Sequence, residues 1–157
     1  MRIYVDGGCR GNGTPGAIGA AAAVFQFRGG RTQTLTRQLP FDPRPTNQCA
    51  ELTAILLALE NSLWKYEGLN GTPKLDVTIY SDSTYAVNCI TEWVHGWIRN
   101  GWINSKGEEV ANRDLIEEAI YLDRMLRNLG SLTYCWIPRD ENTAADEACN
   151  KCMDEMS

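Results

Sequence analysis

The chain of 157 residues holds a single histidine, His95, and no apolar run near the ~18 to 20 residues that a membrane-spanning helix needs. One histidine leaves no histidine-rich metal centre. His95 sits between Trp93 and Trp97, away from every acidic motif described below, and reads as a surface or packing residue. The six cysteines (Cys9, Cys49, Cys89, Cys135, Cys149, Cys152) include one CxxC, at Cys149 and Cys152, with neither a second CxxC nor a histidine pair. That argues against structural zinc and for reduced thiols. A secretory leader is not evident either, because Asp6 falls where its apolar centre would be. The expectation is an intracellular protein, nuclear or cytoplasmic, with a mitochondrial destination left open, and no membrane partner. The chain also lacks an overall basic excess, its net charge being -5, yet the charge is uneven. Residues 1–45 carry +4, residues 46–139 carry -4 and residues 140–157 carry -5. This distribution suits a protein that gathers cations at one place and phosphates at another.

What is present is an ordinary globular composition, 43% hydrophobic and 22% charged, which excludes extended disorder. One domain spanning 1–157 is expected. Residues 2–5 form a β-prone run that Gly7-Gly8 should stop, and two further strand-like runs at 17–27 and 32–39 flank Gly29-Gly30, a hairpin signal. After a proline-rich connection, Leu52, Ile55, Leu56, Leu59 and Leu63 recur at helical spacing. A strand follows at 75–80, a helix at 85–90 started by Ser81-Asp82-Ser83, and a tryptophan-bearing insertion at about 92–113 that closes on Asn112 as a helix cap. Leu115, Ala119, Leu122 and Leu126 mark another helix, then come a strand at 132–137 and a last helix after Asn142. The order implies an α/β fold: a mixed five-stranded sheet whose first three strands are antiparallel, with helices on both faces.

Asp6 and Asp82 each follow a β run, where open α/β sheets place ligands. If those strands are parallel neighbours, the two carboxylates meet. Glu51 is expected in the first turn of its helix and Asp146 early in the last one. Singly, each acid has an ordinary role as turn former, cap or surface charge. Together they would repel and protonate unless a divalent cation, magnesium or manganese, lay among them.

Five segments in order make the pattern specific: Tyr4-Val5-Asp6-Gly7-Gly8 with Gly11-Asn12-Gly13, Thr46-Asn47-Gln48-x-Ala50-Glu51, Ile79-Tyr80-Ser81-Asp82-Ser83, Trp93-x-x-x-Trp97-x-x-x-Gly101-Trp102, and Asn142-x-x-Ala145-Asp146. On these the chain resembles the type-1 ribonucleases H, the short filamentous-fungal forms in particular, almost end to end. The resemblance implies a ribonuclease H-like fold and hydrolysis of the RNA strand of RNA/DNA hybrids by two Mg2+ ions, with Mn2+ as substitute, leaving 5′-phosphate and 3′-hydroxyl ends. It implies that Asp6, Glu51, Asp82 and Asp146 are the catalytic metal ligands. It further implies that Cys9, Arg10, Gly11, Asn12, Asn47 and Gln48 line the RNA minor groove, where 2′-hydroxyls distinguish RNA from DNA. Arg44, Thr46 and Asn112 resemble a pocket for a DNA-strand phosphate, and Trp93, Trp97 and Ser105 a DNA-facing channel. A monomer is expected.

Three departures from the family pattern stand out. The 92–113 insertion is not lysine-rich, which implies a shallow salt dependence. Residues 136–142 run into the last helix without the histidine loop of many relatives, and Cys49 stands where relatives often carry arginine. The competing reading is therefore a hybrid-binding module of the same fold with little or no turnover.

Overall fold

The computed structural model describes all residues, 1–157. Its five strands, β1 (Arg2–Arg10), β2 (Ile18–Gln26), β3 (Thr32–Gln38), β4 (Leu75–Ser81) and β5 (Gly130–Trp136), form one sheet in the order β3-β2-β1-β4-β5. β1, β2 and β3 are antiparallel in sequence, while β4 pairs parallel with both β1 and β5. The expected mixed topology is what forms. No helix is long and apolar enough to cross a membrane.

Helix α1 (Asn47–Glu67) starts at Thr46, whose hydroxyl accepts the Cys49 N–H at 3.2 Å while the Cys49 sulfur accepts the Thr46 N–H at 3.1 Å. This is a reciprocal cap with a thiol in place of the usual Glu or Gln. Cys49 therefore has a structural task of its own, closing the start of α1. α1 packs with α4 (Arg113–Arg127) on one face of the sheet, and α5 (Thr143–Met156) covers the other. Strand β2 is buried between them: Ala21, Ala23 and Phe25 belong to the core under α1, whereas Ala20 and Ala22 meet Cys149, Cys152 and Met153 of α5. Four consecutive alanines would favour a helix in isolation, but burial on both faces makes them strand, and their small side chains let two helices lie close.

Three local expectations change. β1 does not stop at Gly7-Gly8 but continues to Arg10, paired along its length with β2. The helix expected at 85–90 is a longer helical run, α2 (Thr84–Asn88), a π turn over Cys89–Trp93 and α3 (Val94–Asn100), ended by Gly101 in the left-handed region. Ser83 caps its start through the Ala86 N–H, so Asp82 is spared that duty. Asn112 precedes α4 with φ 61° and makes no side-chain cap bond.

Candidate active site

The parallel register pairs Val5 with Ser81, so Asp6 and Asp82 come side by side at the carboxyl end of β4; Asp82 follows its strand as expected, whereas Asp6 lies within β1, which continues past the end of the parallel pairing to Arg10. Glu51 reaches them because β1 has glycine at position 7. A Cβ there would fall well inside contact distance of the Ala50 carbonyl and the Glu51 nitrogen, so α1 lies directly on the strand. Glu51 is the fifth residue of α1, in its second turn and not the first as expected. Carboxylate oxygens of Asp6, Glu51 and Asp82 lie within 4.8 Å of one another. Asp146, in the first turn of α5, neighbours Asp6 and lines the same cavity, outside this tight set of three.

The cavity measures about 430 Å³ and also exposes Cys9, Arg10, Asn47, Gln48 and Arg139. Asp82 is fixed from behind: Asn142, itself buried, donates through Nδ2 to the Val5 carbonyl at 2.9 Å and to Asp82 Oδ2 at 3.1 Å. The Trp136 Nε1–H donates to the Asp82 carbonyl at 3.1 Å.

Burial, then repulsion from Asp82, pushes the Asp6 carboxyl up, and burial followed by repulsion from Asp6 does the same to Glu51. Glu51 Oε2 is buried without a hydrogen-bond partner. A hard divalent cation answers all of these: oxygen donors only, converging carboxylates, and an oxygen with no other partner. The residues present fit such an ion.

A stability signature follows for the metal-free protein. Because the folded pKa of Asp6, about 7, lies above its ordinary 3.8, the carboxyl favours the folded state below about pH 4 and loses that contribution as pH rises through 7. In EDTA, Asp6→Asn is expected to raise Tm at pH 8 by about 5 °C and to flatten the fall of Tm between pH 5 and 8. Thermal melts across that range test it; equal slopes for the two proteins would refute the placement.

The other residues fall into two groups. The Cys9 N–H donates to Asn47 Oδ1 at 3.0 Å and the Asn47 N–H to Asn12 Oδ1 at 3.1 Å, which ties the loop around Gly11 to the start of α1 beside the acids. Arg10 points its guanidinium at Asp154 of α5, 2.7 Å away, so its side chain is engaged within the protein. Arg44, Thr46 and Asn112 line a separate cavity of about 310 Å³ together with Cys49 and Asp114. Trp93 is exposed, Trp97 is half-buried against the core, and their rings stand 6.1 Å apart. Ser105 is exposed on the following loop, with no hydrogen bond to tie it to the tryptophans. His95 is exposed on α3 and lines a different cavity from the acids.

Sequence reasoning missed Arg139. It lies in the short turn between β5 and α5, solvent-exposed at the mouth of the acidic cavity, and forms no ion pair. The available signal was the brevity of the 137–142 connection, which holds any side chain there close to the ends of β4 and β5.

Among known proteins, the model of the RNase H family matches residues 1–153. The chain belongs to the ribonuclease H family. The ribonuclease H of Syntrophotalea carbinolica is 33% identical over 151 residues, covering 96% of this chain and 86% of that protein. That of Hydrogenovibrio crunogenus is also 33% identical, over 162 residues, covering 100% and 97%. LC11-RNase H1, isolated from compost, superposes with TM-score 0.69 at 24% identity, over 99% of this chain and 96% of that one, and has also been solved in complex with an RNA/DNA hybrid. At that identity the superposition establishes the fold, the same five-stranded mixed sheet flanked by helices.

Proposed function

We propose that this protein is an endoribonuclease that hydrolyses the RNA strand of RNA/DNA hybrids with divalent metal, leaving 5′-phosphate and 3′-hydroxyl ends. The observation that carries the reading is the convergence of Asp6, Glu51 and Asp82 at the carboxyl end of the sheet in a chain of the ribonuclease H family. Asp6, Glu51 and Asp82, joined by Asp146, would hold two Mg2+ ions, or Mn2+ in their place. When bound, such ions supply Lewis-acid stabilisation of the attacking and departing oxygens of an in-line displacement.

The chain's own residues do the rest. Asn142 and Trp136 hold Asp82 in place, and Gly7 lets Glu51 approach. Cys9, Asn12, Asn47 and Gln48 present polar groups beside the acids, where 2′-hydroxyls of an RNA strand would lie. All four acids come from one chain, so a monomer suffices. A binding module without turnover is the weaker reading, because four acids facing phosphates would oppose binding unless cations held them.

Arg139, unpaired at the mouth of the cavity, is placed to donate to a phosphate oxygen of the strand being cut. Arg139→Ala is expected to lower kcat/KM about ten- to a hundredfold, with Arg139→Lys recovering part of the loss. Steady-state kinetics on a labelled hybrid check this, and unchanged kcat/KM for Arg139→Ala would remove the residue from the site.

The function itself is tested by incubating labelled RNA/DNA hybrid, RNA/RNA and DNA/DNA duplexes with magnesium, manganese or EDTA. Metal-dependent cutting of the hybrid's RNA strand alone is the expected result. A hybrid that is bound but stays intact would favour the binding module.

A further inference from the structure

The cavity of Arg44, Thr46 and Asn112 contains one residue held in an uncommon way. Asn112 adopts φ 61° and ψ 26°, a left-handed conformation, and stands where a helix cap would stand without capping α4. Its Nδ2 donates instead to the Tyr85 hydroxyl at 3.2 Å. Tyr85, half-buried on α2, meets Trp93 edge-on at 6.2 Å. Trp93 then packs on Trp97 at 6.1 Å, Trp97 on Trp102 at 6.2 Å, and the Arg113 guanidinium lies over Trp102 at 5.2 Å. Since Arg113 follows Asn112 in the chain, these contacts close into a ring. The backbone of Asn112 is anchored through Arg113 and its side chain through Tyr85.

The donors left over converge on one chemistry. An amide NH2 carries two hydrogens, and Tyr85 engages one, leaving the other. Thr46 Oγ1 accepts the Cys49 N–H, so its own proton is free to donate, and Arg44 spends a single nitrogen on the Gly13 carbonyl at 3.4 Å. Three donors of this kind suit a phosphate oxygen. The one carboxylate in the lining, Asp114, opposes a doubly charged phosphate monoester more than a singly charged diester. A backbone phosphate of a nucleic-acid strand is thus the fitting occupant.

We propose that Tyr85 is a positioning residue whose hydroxyl aims the Asn112 amide into the Arg44 and Thr46 pocket, so that it donates to a backbone phosphate of the bound hybrid. The inference rests on the hybrid-cleaving function proposed above. Tyr85 acts in substrate binding and not in the chemical step.

Tyr85→Phe keeps the ring and its packing on Trp93 while deleting the hydroxyl. Steady-state cleavage of a labelled RNA/DNA hybrid with magnesium is measured for the wild type, Tyr85→Phe, Asn112→Ala and the double variant, with thermal melts alongside. The expected result is a KM about three- to tenfold higher for Tyr85→Phe with kcat within about twofold. Asn112→Ala should raise KM at least as much, and the double variant no further than Asn112→Ala alone, since both substitutions remove one arrangement. Effects on KM that add in full, an unchanged KM for Tyr85→Phe, or a fall in kcat that tracks a fall in Tm would each overturn the positioning role while the function stands. A wild-type protein that binds the hybrid but does not cut it would overturn the function on which the role rests.

Discussion

Asp82→Asn is expected to reduce hybrid cleavage about a thousandfold or more, roughly 4 kcal/mol in the barrier, while leaving hybrid affinity within about threefold. The substitution preserves volume and keeps an oxygen for the Asn142 amide, which now donates to Asp82 Oδ2. Its one large change is the lost charge. A neutral amide is a poor ligand for a hard divalent cation, and Asp82 is one of three carboxylates converging within 4.8 Å. Binding should survive, because the residues proposed to contact the hybrid lie on other elements, the loop around Gly11, the start of α1 and the pocket of Arg44, Thr46 and Asn112. Single-turnover cleavage beside equilibrium binding separates the two quantities. Full turnover in Asp82→Asn would displace the proposed catalytic site.

Gly7→Ala should have the largest effect on the folded protein. Its Cβ would collide with backbone atoms of Ala50 and Glu51, and backbone inside a helix cannot turn aside as a side chain can. α1 must then shift away from β1, across the largest of the two buried clusters. The expected cost is about 3 kcal/mol or more, a fall in Tm of about 6 to 12 °C, together with weakened binding of divalent metal as Glu51 withdraws from Asp6. Gly8→Ala serves as the control: its Cβ would meet the flexible Met153 side chain, Cε at 3.1 Å, and should change Tm by only a few degrees. Melting curves in EDTA and with magnesium measure both effects. Equal melting temperatures for Gly7→Ala and Gly8→Ala would refute the close approach.

Asp82 was legible because it follows the apolar run of β4, and a carboxylate after a buried strand is a local signal of a sheet's carboxyl end; Asp6 was noticed by the same rule but stands inside β1, which runs on to Arg10. Helix α1 was legible from its leucine spacing, and its start from Thr46. Gly7-Gly8 was misread for a related reason. Glycine pairs mark turns in most short windows, whereas here the glycine serves a helix packed on the strand, more than forty residues away in sequence. Asn112 is a second case: a cap by composition, it stands in the left-handed region with its amide on Tyr85 and with the next residue, Arg113, over Trp102, contacts with segments that its own neighbours do not reveal. Arg139 looked like one charge in a solvated loop, and only the shortness of that connection between two fixed elements brings it to the acidic cavity.

By itself, then, the sequence determined most of the elements, their order and the mixed sheet, because periodicity and residue type act over a few neighbours, while the four acids were singled out as a set by the resemblance to the ribonucleases H. The tertiary structure alone decided which acids form the tight set, how Glu51 reaches it, where Arg139 stands and what holds Asn112. Those outcomes depend on strand register and on how close two backbones can come, and both are set by packing between segments far apart in the chain.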